Sequence, residues 1–253
     1  MKVRNHAAII TGGGSGMGAE TARRLAAEGA KVALFDLNVD AVQAVADEIG
    51  GIAVQCDVSD AASTEAAFAA AREAHGPARI AISCAGVATP GRIVGREGPL
   101  DLAAFKRVVD INLVGTFNVM RLAAYDMSKL DPLETSERGV IINTASVAGF
   151  EGQIGQAAYG SSKGGVIALG LPAARELARF GIRVMTIAPG LIATPMLLTM
   201  PQEVQDSLAA SVPFPNRFGD AGEYADLALH IIGNVMLNGD VIRLDGALRL
   251  APK

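Results

Sequence analysis

Tyr159 and Lys163 stand four residues apart in Ala157-Ala-Tyr-Gly-Ser-Ser-Lys. On a helix that spacing puts a phenol and an ammonium on one face, one turn apart. Ser146 precedes Tyr159 by thirteen residues and follows the apolar run Gly139-Val-Ile-Ile-Asn-Thr, which reads as a buried strand. A strand end, a loop and a helix start can gather these three polar side chains around one substrate oxygen. The chemistry would be proton exchange with a hydroxyl, Tyr159 acting as base and Ser146 as hydrogen-bond donor. A phenol is a poor base at neutral pH, with an ordinary pKa of about 10, and bringing it near 7 takes about 4 kcal/mol. One ammonium about 4 Å away at an effective dielectric of about 20 supplies that much. Lys163 is therefore expected to lower the Tyr159 pKa. The competing reading is a surface tyrosine beside a solvated lysine.

Such a set needs a scaffold, and the chain alternates in a way that supplies one. Apolar runs at Ala7–Thr11, Lys31–Phe35, Ile52–Cys56, Arg79–Ser83, Gly139–Thr144, Ile182–Ala188 and Val241–Leu244 read as strands. Helical patterns cover Gly16–Glu28, Val39–Ile49, Ala61–His75, Leu102–Leu130, Ala158–Phe180 and Ala221–Gly233. This alternation predicts one α/β domain over residues 1–253. It would be a single-domain Rossmann-type doubly wound fold: a mostly parallel seven-stranded sheet with helices on both faces.

Two segments break the rhythm. Thr89–Leu100, rich in Gly and Pro, reads as a loop past a strand end. Thr194–Phe218 is apolar, Met-rich and interrupted by Pro, and suits either a subunit contact or a lid. A substrate lid over 194–218 is expected, because ligands in such sheets bind beyond the carboxyl ends of strands. The helix Ala158–Phe180 also carries Gly160, Gly164, Gly165 and Gly170. Each interior Gly costs about 1 kcal/mol against Ala, so close approach of a neighbouring subunit, a bound cofactor or the chain's own sheet should compensate.

The first strand runs into Thr11-Gly-Gly-Gly-Ser-Gly-Met-Gly18 and then a helix. Gly12, Gly16 and Gly18 would permit a tight turn and bring backbone N–H groups close to a phosphate at the helix N-terminus. Asp36 ends the second strand, 24 residues past Gly12. A carboxylate there can accept hydrogen bonds from the adenosine ribose hydroxyls of NAD, and it would repel the 2′-phosphate of NADP. Asp36 could instead be a turn or helix-capping acid. Asp57, with Val58 beside it, could meet the adenine amino group, or Asp57 or Ser59 could simply cap the next helix. Cys84-Ala85-Gly86 follows the fourth strand, where small residues let the backbone pass near a ribose. The cofactor expected is NAD, whose cationic nicotinamide would add to the effect of Lys163 on Tyr159.

Composition narrows the partners. The chain has 253 residues, 50% hydrophobic and 19% charged, enough for a sizeable core. A net charge of −4 and a pI near 5.4 give no support for binding nucleic acid or an anionic membrane. Cys56 and Cys84 sit in or beside apolar runs and read as reduced thiols rather than a disulfide. His6, His75 and His230 lie far apart without ligand spacing, so no metal is expected. No signal core or membrane-length apolar run occurs, and a cytoplasmic setting is the expectation.

Taken together, these motifs resemble the short-chain dehydrogenase/reductases over essentially the whole chain. The likeness rests on Thr11 to Gly18, on Asn112, on Ser146, Tyr159 and Lys163, and on Pro189-Gly190 with Thr194. A closer likeness, to the type II 3-hydroxyacyl-CoA dehydrogenases, lies in Ile111–Leu122, Arg138–Gln153, Val212–Asp220 and Leu237–Ala247. That resemblance implies an NAD-dependent homotetramer of fatty-acid or branched-chain amino-acid breakdown, oxidising a 3-hydroxyacyl-CoA to the 3-oxoacyl-CoA. Ser15, Met17, Asp36, Asp57, Val58, Cys84, Tyr159, Lys163, Ile192 and Thr194 would line NAD. Ser146, Tyr159 and Gln153 would face the substrate, and Asn112 would anchor a water linking Lys163 to solvent. The family's Asn-Asn-Ala-Gly is Ser83-Cys84-Ala85-Gly86 here, which puts a sheet-stabilising hydrogen bond in doubt. Alternatives are a hydroxysteroid or other secondary-alcohol dehydrogenase, a 3-oxoacyl-carrier-protein reductase, which Asp36 disfavours, and an NAD-binding scaffold without turnover.

Overall fold

The structure, a computed structural model, describes residues 1–252, with all of their side chains but those of Pro195 and Met196. Lys253, the last residue of the expected domain, lies outside the described residues. Seven strands form one sheet: β1 (Ala7–Thr11), β2 (Lys31–Asp36), β3 (Ile52–Gln55), β4 (Ile80–Ser83), β5 (Gly139–Thr144), β6 (Ile182–Pro189) and β7 (Val241–Leu244). Their order is β3-β2-β1-β4-β5-β6-β7 and every pairing is parallel. The direction of winding reverses between β1 and β4, and the crevice at such a switch point is where these sheets take ligands.

Both faces are covered, as the continuous apolar strands require. Alternate residues of β1 show the division. Ala8 and Ile10 pack under α1 (Gly16–Ala27), α2 (Val39–Ile49) and α9 (Ala221–Gly233). Ala7 and Ile9 belong to the opposite core, with α3 (Ala61–His75), α5 (Gly115–Ser128) and α6 (Ala157–Leu177). Helix starts are set by acids and amides: Asn38 caps α2, Asp60 caps α3, and Asp220 with Glu223 forms a capping box on α9. The cap of α3 corrects the expectation that Asp57 or Ser59 would serve there.

The helix expected over Leu102–Leu130 is not continuous. It consists of α4 (Leu102–Val109), a π turn at Asp110–Val114 and α5, which ends at Ser128. From the first turn of α5 the Thr116 hydroxyl donates back to the Asn112 carbonyl of the π turn at 2.7 Å. Residues 89–100 form no helix, as expected of a loop. Thr194–Phe218 contains two short helices, α7 (Pro195–Leu198) and α8 (Gln202–Ala210). Close packing within the chain accounts for three of the four α6 glycines, Gly160, Gly165 and Gly170, but not for Gly164. A Cβ on Gly160 would lie 3.1 Å from the Ala148 carbonyl oxygen, on Gly164 3.5 Å from that of Gly149, on Gly165 2.6 Å from Leu113, and on Gly170 3.1 Å from the Thr186 hydroxyl.

Candidate active site

A cavity of about 730 Å³ opens across the carboxyl ends of β1 to β6. Gly12, Ser15, Gly16, Met17 and Gly18 line it from the turn into α1, and Asp36, Asp57 and Val58 from the ends of β2 and β3. Cys84, Ala85 and Gly86 enter past β4; Pro189 enters from the end of β6, and Ile192 and Thr194 from just past it. Ser146, Gln153, Tyr159 and Lys163 line it as well. Residues spread over most of the chain thus meet at one place.

The Gly-rich turn is shaped by close backbone packing. Gly12 has φ +67°, a left-handed conformation, and a Cβ there would fall 2.8 Å from the Ala85 nitrogen. Ser15 is the N-cap residue of α1, yet its side chain makes no capping hydrogen bond. Asp36 accepts from the Gly14 N–H at 3.0 Å through one oxygen and from the Asn38 N–H at 3.0 Å through the other. It is therefore a turn acid and a cavity-lining acid at once. Each oxygen keeps acceptor capacity, so the carboxylate can still take a ribose hydroxyl. A tight glycine cradle at a helix N-terminus, backed by a carboxylate at the next strand end, fits a dinucleotide without a 2′-phosphate. Asp57 accepts from the Ser59 hydroxyl and N–H at 2.6 and 2.9 Å.

At the other end, Ser146 follows β5 in extended conformation, and its hydroxyl accepts from the Ala148 N–H at 3.1 Å. Tyr159 lies in the first turn of α6, with Lys163 one turn on. Lys163 is buried and donates to the Thr144 carbonyl at 2.7 Å; its Nζ sits 5.9 Å from the centre of the Tyr159 ring. Burial lowers its pKa to about 8. Burial also pushes the Tyr159 phenol above its ordinary value, and the hydrogen bond with Ser146 draws it partly back. The expectation that Lys163 alone brings the phenol down is thus corrected. The ammonium is turned onto Thr144, and burial sets the direction for the phenol.

Asn112 is fully buried and stands behind the cavity wall rather than in it. Its amide oxygen accepts from the Val87 N–H at 2.8 Å, and its amide nitrogen donates to the Val87 carbonyl and the Ser162 hydroxyl at 2.9 and 3.0 Å. Gln153 donates to the Ala251 carbonyl at 2.9 Å. Cys56 and Cys84 are both free thiols. Cys84 lies 3.6 Å from both the Thr144 and Tyr224 hydroxyls, which hydrogen-bond each other at 2.7 Å.

Sequence reading missed several lining residues: Arg107, Gln156, Leu197, Met200, Val204, Leu208 and Leu250. Those at 197–208 fall inside the apolar excursion and Gln156 sits beside Tyr159, so local signals existed for them. Leu250 arrives from beyond β7, and nothing in its own neighbourhood marks it. Among the described residues, no cluster of three or more His, Cys, Asp or Glu could hold a metal ion. No helix among them is long and apolar enough to cross a membrane.

A model of the short chain dehydrogenase family matches residues 6–205. The 3-hydroxyacyl-CoA dehydrogenase type-2 proteins of Bos taurus and Homo sapiens are each 49% identical over 254 residues, covering 99% of this chain and 97% of theirs. The crystal structure of 3-hydroxyacyl-CoA dehydrogenase type-2 from Mycobacterium avium superposes with a TM-score of 0.94 at 43% identity, covering 100% of both chains.

Proposed function

The chain belongs to the short chain dehydrogenase family, and on that premise we propose that it oxidises a 3-hydroxyacyl-CoA to the 3-oxoacyl-CoA with NAD as hydride acceptor. The observation that carries the reading is a single cavity in which Ser146, Tyr159 and Lys163 meet the Gly12–Gly18 turn and Asp36. The substrate class is supported by the names of the relatives, similar over 97% of their length.

The Gly-rich turn and the start of α1 would hold the pyrophosphate, and Asp36 the adenosine ribose. Asp57 and Val58 would meet the adenine, Cys84 to Gly86 the ribose wall, and Pro189, Ile192 and Thr194 the nicotinamide side. NAD, when bound, supplies the hydride acceptor. Ser146 donates a hydrogen bond to the substrate oxygen and orients it. Tyr159 takes the hydroxyl proton as general base. Lys163, held by the Thr144 carbonyl, would bind the nicotinamide ribose. Asn112 acts as a positioning residue behind them, fixing Val87 and Ser162 and completing a water path from Lys163 to solvent. Gln153 bounds the substrate side. Leu197, Met200, Val204 and Leu208 line the cavity from within 194–218, which supports a substrate lid there.

The reading places the enzyme in fatty-acid or branched-chain amino-acid breakdown, in the cytoplasm, in keeping with two free thiols. It also makes the chain a homotetramer; exposed Phe117, Tyr125 and Leu171 on α5 and α6 suit self-association. The apolar lining favours one second reading, a hydroxysteroid or other secondary-alcohol dehydrogenase. NADH formation measured across 3-hydroxyacyl-CoA chain lengths, with steroids, simple alcohols and NADP as controls, separates the two. Turnover of acyl-CoA with NAD preferred over NADP is expected; turnover of steroids alone would reject the acyl-CoA assignment.

A further inference from the structure

The segment after β7 is fastened to the loop between Ser146 and Tyr159. Arg243 grips both oxygens of Glu151, at 2.8 and 3.1 Å. The same guanidinium donates to Asp245 at 2.6 Å and to the Leu248 carbonyl at 2.8 Å, and it lies over the Phe150 ring. Arg249 adds a contact to Glu151 at 3.3 Å. Three further bonds then pin the chain residue by residue. The Leu250 N–H donates to Glu151 at 3.1 Å, Gln153 donates to the Ala251 carbonyl at 2.9 Å, and the Ile154 N–H donates to the Pro252 carbonyl at 3.0 Å.

Leu250 is held within these ties, and its side chain lines the same cavity as Ser146, Tyr159 and the apolar residues of α8. A paired, bidentate ion pair restricts motion more than a lone contact does. Leu250 is therefore a fixed apolar wall rather than a loose chain end. We propose that Leu250 is a specificity-determining residue: clamped by the Glu151–Arg243 pair, it limits the bulk of the acyl chain accepted beside Tyr159. This rests on the acyl-CoA reading. Arg243 and Glu151 act through Leu250 and Gln153 and are positioning residues.

The test compares kcat/KM of the parent, Leu250→Ala, Glu151→Gln and the double variant on short, long and 2-methyl-branched 3-hydroxyacyl-CoAs, with NAD affinity measured alongside. Removing a few carbons from an apolar wall changes discrimination by about tenfold. Leu250→Ala should raise the bulky-to-small ratio by about that factor while NAD affinity stays unchanged. Glu151→Gln should shift the ratio the same way, and the double variant should add little to Leu250→Ala. Amide exchange at Leu250 and Ile154 should quicken in Glu151→Gln. A ratio unmoved in Leu250→Ala, or exchange unmoved in Glu151→Gln, overturns the inference. Should the parent turn over no acyl-CoA, the substrate reading fails instead. The same ratio taken on small and bulky secondary alcohols then decides the role of Leu250.

Discussion

At the scale of residues, the site turns on two groups held away from their ordinary titration. Lys163 has a pKa of about 8 against an ordinary 10.5, because burial disfavours its charge. Between those values the unfolded chain carries a proton that the folded chain has released, so stability rises with pH across that window. Below pH 8 the buried ammonium costs the fold about 3 kcal/mol. Lys163→Met should therefore unfold at a higher temperature than the parent at pH 7, and the gap should close as pH rises from 8 to 10.5. Calorimetry over that range checks it; a gap independent of pH would contradict the account. The members of the set were legible in sequence, since helical spacing alone brings Tyr159 and Lys163 to one face. Their electrostatics were not. Neither the depth of burial nor the pull of the Thr144 carbonyl on the ammonium is a property of spacing.

At the scale of elements, β1, β5, β7, α2 and α9 run between the residues that the apolar and helical patterns indicate. The π turn at Asp110–Val114 escaped, because an extra residue in a turn leaves the surrounding apolar pattern helical. That turn matters, since it carries Asn112 to Val87 and Ser162. The substitution noted at Ser83 also has a structural consequence. Ser83 pairs with Asn143 and Asn143 with Thr186 across β4, β5 and β6. All three are buried, and among the described residues the Ser83 and Thr186 hydroxyls and the Asn143 amide lack hydrogen-bond partners. A buried hydroxyl without a partner costs about 1–3 kcal/mol. Ser83→Ala should accordingly stabilise the protein by about 1 kcal/mol, read as a raised denaturant midpoint with unchanged slope. A loss of that size would mean the hydroxyl is satisfied.

At the scale of the whole molecule, one parallel sheet places the ends of β1 to β6 around a single cavity, so each strand end contributes a residue or two. This is why regular spacing along the chain could reveal most of the site: the fold converts sequence order into position along one edge. It also explains the omission of Leu250, which is brought to the cavity by long-range ties to residues 151–154. In this cavity Tyr159 is the proposed base for oxidation of an alcohol. Turnover of NAD by Tyr159→Phe, measured beside the parent with NAD affinity determined separately, tests it most directly. A fall of about a thousandfold is expected, with NAD still bound as tightly as in the parent. Turnover within about tenfold of the parent would contradict it.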